Sequence, residues 1–150
     1  MSEAIVRRAT LADLDLVTPL FDAYRQYYAC SPGIAACRAF LSERIERDES
    51  VVFVATLAGR GVGFTQLYPR FTSIGLNRAW ILNDLYVDSS ARRTGVGRLL
   101  MNAAKQFAVA NGSAWLELAT AKDNHGARAF YRGLGYKLDE KFEHFKLTLR

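Results

Sequence analysis

The sequence has few of the residues that build disulfide frameworks and metal centres, since its 150 residues include two cysteines and two histidines. Two cysteines are too few for a disulfide framework or a zinc ribbon. Cys30 and Cys37 stand seven residues apart, which predicts that they share one helix face and pack as small hydrophobic side chains. A histidine-rich metal site is not expected either, so the sequence predicts a protein without a bound metal.

Long hydrophobic runs are also missing from the chain. No stretch approaches the roughly 20 apolar residues that a membrane-spanning helix needs, and residues 1–8 contain no apolar signal-peptide core. These absences predict a soluble, cytoplasmic protein with no membrane partner. Half of the 150 residues are hydrophobic, which is enough apolar mass for a single domain over residues 1–150 and too little for two.

The charge balance is basic, with 20 lysines and arginines against 15 aspartates and glutamates, a net charge of +5. Such a surplus favours anionic partners. Nucleic acid is not expected, because no basic block exceeds two residues and neither zinc-finger spacing nor an aromatic-basic RNA-binding motif is present. Basic residues concentrate between Arg92 and Lys105, which suits a small phosphorylated ligand better than a polymer.

Hydrophobic periodicity predicts a mixed α/β fold. After a short strand at residues 5–9, a helix begins at Thr10, with Asp13 completing an approximate capping box, and a second helix follows residues 31–33. Short connections predict that the next strands are antiparallel; they span residues 51–57, 62–68 and 79–87.

The second half of the chain changes pattern. An amphipathic helix begins at Gly95, and its expected inner face is Val96, Leu99 or Leu100, Ala103, Phe107 and Ala110. Another helix is expected at residues 124–133, and strands are expected at residues 114–119, 135–138 and 142–149. The strand–helix–strand passage over residues 79–119 requires a parallel crossover. The prediction is therefore a sheet with antiparallel N-terminal and parallel central strands, flanked by about four helices.

The most informative segment is the loop and helix start at residues 88–98. It combines two adjacent arginines with glycines that allow a bulky anion to approach the backbone. The N-terminus of a helix adds unpaired N–H groups and a partial positive charge. The segment therefore predicts a phosphate or pyrophosphate site, and a P-loop is excluded because no Gly-Lys-Ser/Thr follows. A dinucleotide site stays possible but weak, since Leu100 occupies the place of its third small residue.

A second segment, at residues 124–136, pairs a good helix cap, Asn124, with the aromatic Tyr131. Considered alone, the position of Tyr131 in this helix predicts that its side chain packs in the core. Together the two segments resemble motifs of the GNAT superfamily of acyl-CoA N-acyltransferases. The first motif is the family's Gln/Arg-x-x-Gly-x-Gly/Ala loop, present here as Arg92, Arg93, Thr94, Gly95, Val96 and Gly97. The second includes Asn124, Ala127, Phe130, Tyr131, Leu134, Gly135 and Tyr136, and the resemblance extends from Ile5 to Leu149.

The resemblance implies a fold and a set of cofactor contacts. The strand carrying Leu85, Tyr86 and Val87 would splay from the next strand and pair with the pantetheine arm of acetyl-CoA. Amides from Arg93 through Arg98 would hold the pyrophosphate, while Arg92 or Arg93 would also meet phosphate charge. Asn124, in the same motif as Ala127, would touch the pantetheine or the thioester, and Tyr131 would protonate the leaving thiolate.

The chain is also distantly similar to the spermidine/spermine acetyltransferases and to a yeast branch associated with histone and polyamine acetylation. It departs from the former at two acidic positions, which fall on Asn83 and Tyr28. Asn83 cannot act as a base, so the sequence does not identify the general base. Asp84 alternates to the opposite strand face, which predicts a structural role. Glu143, expected near the start of the last strand, is a further candidate in the acceptor cleft.

The acceptor is open at this stage. Tyr27 and Tyr28 cannot both face the core, so at least one is a candidate wall of the acceptor site, together with Asn83. The leading hypothesis is acetyl-CoA-dependent transfer to a primary amine of a small molecule. Transfer to a protein or peptide is an alternative, and a non-catalytic CoA-binding sensor is another. Family habit predicts a homodimer, formed through residues 142–150.

Overall fold

A computed structural model describes residues 3–150, so Met1 and Ser2, which belong to the segment assessed for a signal peptide, lie outside the described residues. The chain divides into two units, one ending at Leu118 and one spanning Ala119–Arg150, and each is described by itself.

The first unit is built on a five-stranded sheet whose strands lie side by side in chain order: β1 Ile5–Arg8, β2 Val51–Leu57, β3 Arg60–Thr72, β4 Asn77–Val87 and β5 Leu116–Glu117. The β1–β2, β2–β3 and β3–β4 pairs are antiparallel, whereas β5 lies parallel to β4. The predicted change from antiparallel to parallel pairing is therefore confirmed.

The helices begin and end close to where the sequence predicts. Helix α1 is Leu14–Tyr27, α2 is Ile34–Glu46 and α3 is Val96–Ala110, while α4, His125–Gly133, belongs to the second unit. The predicted capping box is confirmed: the Thr10 N–H donates to the Asp13 carboxylate at 2.8 Å, and the Thr10 hydroxyl accepts from the Ala12 N–H at 3.3 Å. None of the helices among the described residues is long and apolar enough to cross a bilayer.

The core forms where α1 and α2 cover one face of the sheet. Burial of this apolar surface is the main stabilising contribution to the fold. The core residues on α1 and α2 are Leu14, Val17, Leu20, Phe21, Cys37 and Leu41, which pack with Val52, Val54 and Phe64 of the sheet.

Cys30 is exposed in the connection after α1, so the prediction that both cysteines share a helix face is wrong.

Helix α3 buries a stripe close to the predicted one. Its buried residues are Val96, Leu100, Met101, Ala104 and Ala108. Leu99 is exposed, because the buried stripe follows Leu100 and Ala104 along the helix.

The predictions for the C-terminal strands are wrong. Past Glu117, the described residues include no β-strand, so neither residues 135–138 nor residues 142–149 form one. A strand exists only where its backbone pairs with a neighbour, and the apolar alternation of this segment supplies no neighbour by itself. The Asp139 carboxylate instead accepts from the N–H groups of Lys141 and Phe142, at 2.9 and 3.1 Å. Of the strand expected at residues 114–119, only the two residues of β5 form a strand.

Candidate functional site

Strand β4 contains a bulge in its middle. Gln66 of β3 pairs with Asp84, but the next residue, Leu67, pairs with Leu82, so Asn83 is an extra residue with no opposite partner. A bulge re-aims the side chains around it. Asn83 is exposed and Asp84 is buried.

Beyond the bulge, no strand among residues 3–150 pairs with the β4 edge that faces away from β3. Strand β5 pairs with β4 only at Trp80 and Ile81. On the β3 side, Asp88 donates its N–H to the Val62 carbonyl at 2.8 Å. Because backbone groups alternate in direction along a strand, those of Leu85 and Val87 point to the edge that β5 does not pair. This edge is the position where the family resemblance implies pairing with a pantetheine arm.

The loop after β4 is held by hydrogen bonds to its own ends. The Nε atom of Arg92 donates to the Val87 carbonyl at 3.0 Å, and the Thr94 hydroxyl donates to the Ala91 carbonyl. From β3, the guanidinium of Arg60 donates to the Ser90 hydroxyl at 3.3 Å. These bonds fix the direction in which α3 begins.

The loop leaves the first N–H groups of α3 outside the intrahelical bonding pattern. Arg93 and Gly95 both adopt left-handed conformations, with φ of 64° and 87°. The first intrahelical bond runs from the Leu99 N–H to the Gly95 carbonyl at 3.1 Å, so the N–H groups of Val96, Gly97 and Arg98 precede the helical ladder. Together with the exposed side chains of Arg92, Arg93 and Arg98, they form a site suited to a phosphate group.

Close packing places α3 against this end of the sheet. A Cβ atom added at Gly63 of β3 would lie 2.9 Å from the Tyr86 carbonyl oxygen and 3.2 Å from side-chain carbons of Val96 and Leu100. Only glycine therefore allows β3, β4 and the start of α3 to approach as they do. Arg92 completes the packing, its guanidinium lying 5.9 Å from the Tyr86 ring centroid.

An aromatic cluster lies at the end of α1. Tyr24 is half-buried against Phe64, with ring centroids 5.8 Å apart. Tyr28 lies 5.1 Å from Tyr24 and 5.3 Å from Tyr27. Tyr27 and Tyr28 are 65% and 60% exposed, so Tyr24 takes the core position and both of the others face solvent. Both therefore stay candidates for an acceptor wall.

Next to this cluster lies a polar group that the sequence analysis did not bring together. The Asp84 carboxylate accepts from the Gln66 side-chain amide at 2.8 Å and from the Asn83 side-chain amide at 3.1 Å. Burial raises the pKa of Asp84 above its usual value, and these hydrogen bonds oppose the shift. Burial, with the nearby charge of Asp84, raises the pKa of Tyr68 to about 12. Two adjacent polar residues, Asn83 and Asp84, in the otherwise apolar stretch 79–87 were the available signal.

The remaining predicted site residues belong to the second unit. Asn124 caps α4, its side-chain oxygen accepting from the Ala127 N–H at 3.1 Å, as the sequence predicts. Tyr131 is half-buried, and its ring centroid lies 6.1 Å from that of Tyr136. Glu143 is exposed on a segment without regular structure, so its predicted place on a strand is wrong. Within residues 3–150, no group of three or more His, Cys, Asp or Glu side chains is arranged to hold a metal ion.

Comparison with known proteins identifies the family. The model of the acetyltransferase (GNAT) family matches residues 17–136. An uncharacterized N-acetyltransferase of Bacillus subtilis, YhfO, is 41% identical over 144 residues, 96% of this chain and 97% of its own. A probable acetyltransferase of known structure superposes with a TM-score of 0.94 at 38% identity, covering 97% of this chain and 98% of its own.

A more distant solved structure belongs to an enzyme named for its acceptor. It is an aminoglycoside acetyltransferase from a soil metagenomic sample in complex with sisomicin, 25% identical, with a TM-score of 0.80 over 98% of this chain and 97% of its own. The match of the family model and the level of identity to YhfO agree with the loop and strand geometry described above. The chain therefore belongs to the acetyltransferase (GNAT) family and is an acyltransferase of the N-acetyltransferase type.

Proposed function

We propose that this enzyme transfers the acetyl group of acetyl-CoA directly to a primary amine of a small molecule. The observation that carries the proposal is the continuity of a strand edge that β5 leaves unpaired, at Leu85 and the Val87 N–H, with a loop whose amides and arginines suit a pyrophosphate. A ligand with an amide-bearing arm and a diphosphate matches both parts. The family model spans parts of both units, which supports a single catalytic domain over residues 1–150.

In the proposed complex, the β4 edge at Leu85, Tyr86 and Val87 pairs with the pantetheine arm. Amides from Arg93 to Arg98, including those of Thr94, Gly95, Val96 and Gly97, hold the pyrophosphate, and Arg92 adds charge. The family resemblance assigns Asn124 and Ala127 to the pantetheine or thioester end. Bound acetyl-CoA supplies the thioester carbonyl that the amine attacks.

A backbone N–H at the open edge of β4 is the proposed donor to the oxyanion, a contact worth about 3–4 kcal/mol in enzymes of this kind. Tyr131 then donates a proton to the leaving thiolate, as the resemblance implies. Tyr27, Tyr28 and Asn83 line the acceptor side in this proposal, with Glu143 a further candidate there. A small amine is favoured over a protein acceptor by the related aminoglycoside enzyme.

The test is release of CoA thiol from acetyl-CoA with polyamines, amino acids, aminoglycosides and basic peptides, with each product identified by mass. Turnover with one class of small amine is the expected result. Tyr131→Phe should lose most turnover and keep acetyl-CoA affinity, whereas the matched variant Tyr136→Phe should stay close to the parent. Acetylation of peptides alone would favour the protein acceptor. Acetyl-CoA binding with no turnover on any amine would favour a sensor.

The proposed partner, besides the amine, is a second copy of the chain. Four apolar side chains near the C-terminus, Phe142, Phe145, Leu147 and Leu149, are 66–92% exposed, and exposed apolar surface of this kind favours association. Sedimentation equilibrium at micromolar concentration is expected to give a dimer. The double variant Phe145→Glu/Leu147→Glu is expected to sediment as the 16.8 kDa monomer, and a monomeric parent protein would contradict the proposal.

A further inference from the structure

Asp84 is a buried carboxylate stabilised by neutral groups alone. It is 5% exposed, and none of the ion pairs formed among residues 3–150 includes it. Its oxygens accept from the amides of Gln66 and Asn83, and the Thr65 hydroxyl donates to its backbone carbonyl at 2.8 Å. Hydrogen bonds from neutral donors reduce the cost of a buried charge without cancelling the charge. A cation that reaches this point would be stabilised by it.

Few charged groups surround Asp84. From α1 the facing titratable group is Tyr24, and from β3 it is Tyr68, whose pKa of about 12 keeps it protonated at neutral pH. The Arg44 charge on α2 acts on Tyr68, and Arg44 itself is paired with Glu43 and Glu49 at 3.2 and 3.0 Å. Burial raises the pKa of Asp84 above its usual value, and a carboxylate with a raised pKa is a stronger base.

Tyr24 connects Asp84 to the surface. A hydrogen bond from its hydroxyl lowers the pKa of Asp84, and the same hydroxyl lies 3.4 Å from the backbone carbonyl oxygen of the exposed Asn83. The exposed ring of Tyr28 lies 5.1 Å from the Tyr24 ring, and an aromatic face attracts an ammonium group. The hydroxyl thus stands between a buried carboxylate and a surface that suits a cationic acceptor.

We propose that Asp84 is the terminal acceptor of the proton that the acceptor ammonium must lose, and that the Tyr24 hydroxyl relays it. The ammonium gives one proton to the Tyr24 oxygen while Tyr24 gives its own proton to the Asp84 carboxylate. The products are a neutral amine, an unchanged Tyr24 and a protonated Asp84, so charge and protons balance. The inference rests on the proposed function and assigns the base that Asn83 cannot supply.

The need for such a group follows from the acidity of amines. With a pKa near 10, only about one primary amine in a thousand is free base at pH 7. A positioned base accepts the proton as the nitrogen attacks, which contributes about 10²- to 10⁴-fold to the rate. The position of Asp84, next to Leu85 on the open edge of β4, suits this role within the first unit.

The experiment compares the pH dependence of kcat/KM in the parent protein, Asp84→Asn, Tyr24→Phe and Thr65→Val. The probe is the amine of the panel above with the highest kcat/KM. The parent is expected to show a plateau from the Asp84 pKa up to the amine pKa. Asp84→Asn and Tyr24→Phe should instead rise tenfold per pH unit until the amine itself deprotonates, and at pH 7 should lose about 10²- to 10³-fold.

Thr65→Val is the matched control. It removes the buried hydroxyl that donates to the backbone carbonyl of Asp84, and it leaves the Asp84 carboxylate in place. It should keep the plateau. A folded Asp84→Asn variant that keeps the plateau overturns the proposal, and if that variant does not fold, a plateau retained in Tyr24→Phe overturns it. Failure of the proposed function is distinguishable: the parent protein would then turn over no amine at any pH.

Discussion

The Nε atom of Arg92 donates to the backbone carbonyl of Val87 at 3.0 Å, so the first arginine of the loop is bonded to the last residue of β4. Arg92 therefore has a second task besides carrying charge. It ties the end of β4 to the loop before α3, and its guanidinium also lies over the Tyr86 ring. The three arginines of this region are for that reason not equivalent in the structure.

Replacement of Arg92 should weaken acetyl-CoA binding more than loss of one charge explains. In Arg92→Ala the loop loses its bond to Val87 and one cation near the phosphate site. Hydrogen bonds to charged groups contribute about 1.5–3 kcal/mol, so affinity measured by calorimetry should fall about 10- to 100-fold. Lys105→Ala, which removes one exposed charge farther along α3, should change affinity less than threefold. Equal losses in the two variants would show that only net charge matters.

Gly63 should not tolerate a side chain. In Gly63→Ala the new Cβ would meet the Tyr86 carbonyl oxygen at 2.9 Å, and backbone cannot move aside as a flexible side chain can. Overpacking of this kind costs about 1–3 kcal/mol, which urea denaturation would measure as a lower free energy of unfolding. Acetyl-CoA affinity should fall as well, because Val96 begins α3. Gly133→Ala, with no atom within 4 Å of the added Cβ, is the matched control and should leave both quantities nearly unchanged.

Local signals in the sequence were sufficient for the capped helices. Thr10 with Asp13, and Asn124 with Ala127, are three residues apart and form within their own segments. The Asp84 group was not predictable in this way, because it depends on the register of β3 against β4 and on the bulge at Asn83. The C-terminal strands failed for a related reason, since alternating apolar residues indicate a strand only if another segment pairs with them.

The carboxylate of Asp13 should stabilise the fold at neutral pH and lose this effect in acid. Its two oxygens accept from Arg7 at 2.6 and 2.8 Å, and these bonds, with the Thr10 N–H, hold the pKa of Asp13 below its usual value. A lowered pKa stabilises the folded state above the unfolded value near 4 and ceases to do so as pH falls through the folded value. Asp13→Asn should therefore cost about 1 kcal/mol at pH 7.

The pH dependence of that cost is the measurement. Unfolding free energies of the parent and Asp13→Asn should converge as pH falls from 5 toward the folded pKa of Asp13. The exposed Arg38–Asp15 pair, with side chains 51% and 89% exposed, provides the control, since Asp15→Asn should change stability little at either pH. A constant difference between parent and Asp13→Asn at all pH values would assign the effect to packing.

Asp84 should behave in the opposite direction, since burial raises its pKa. Between the unfolded and folded pKa values the native state binds more protons than the unfolded state, so stability falls as pH rises through that interval. Above that pH interval, the folded protein carries a buried charge without a cationic partner. Asp84→Asn removes this charge, and the amide oxygen of the new side chain still accepts from Gln66. The variant should gain roughly 1 kcal/mol at pH 8 and little at pH 4. A variant less stable than the parent at pH 8 would assign Asp84 to structural support.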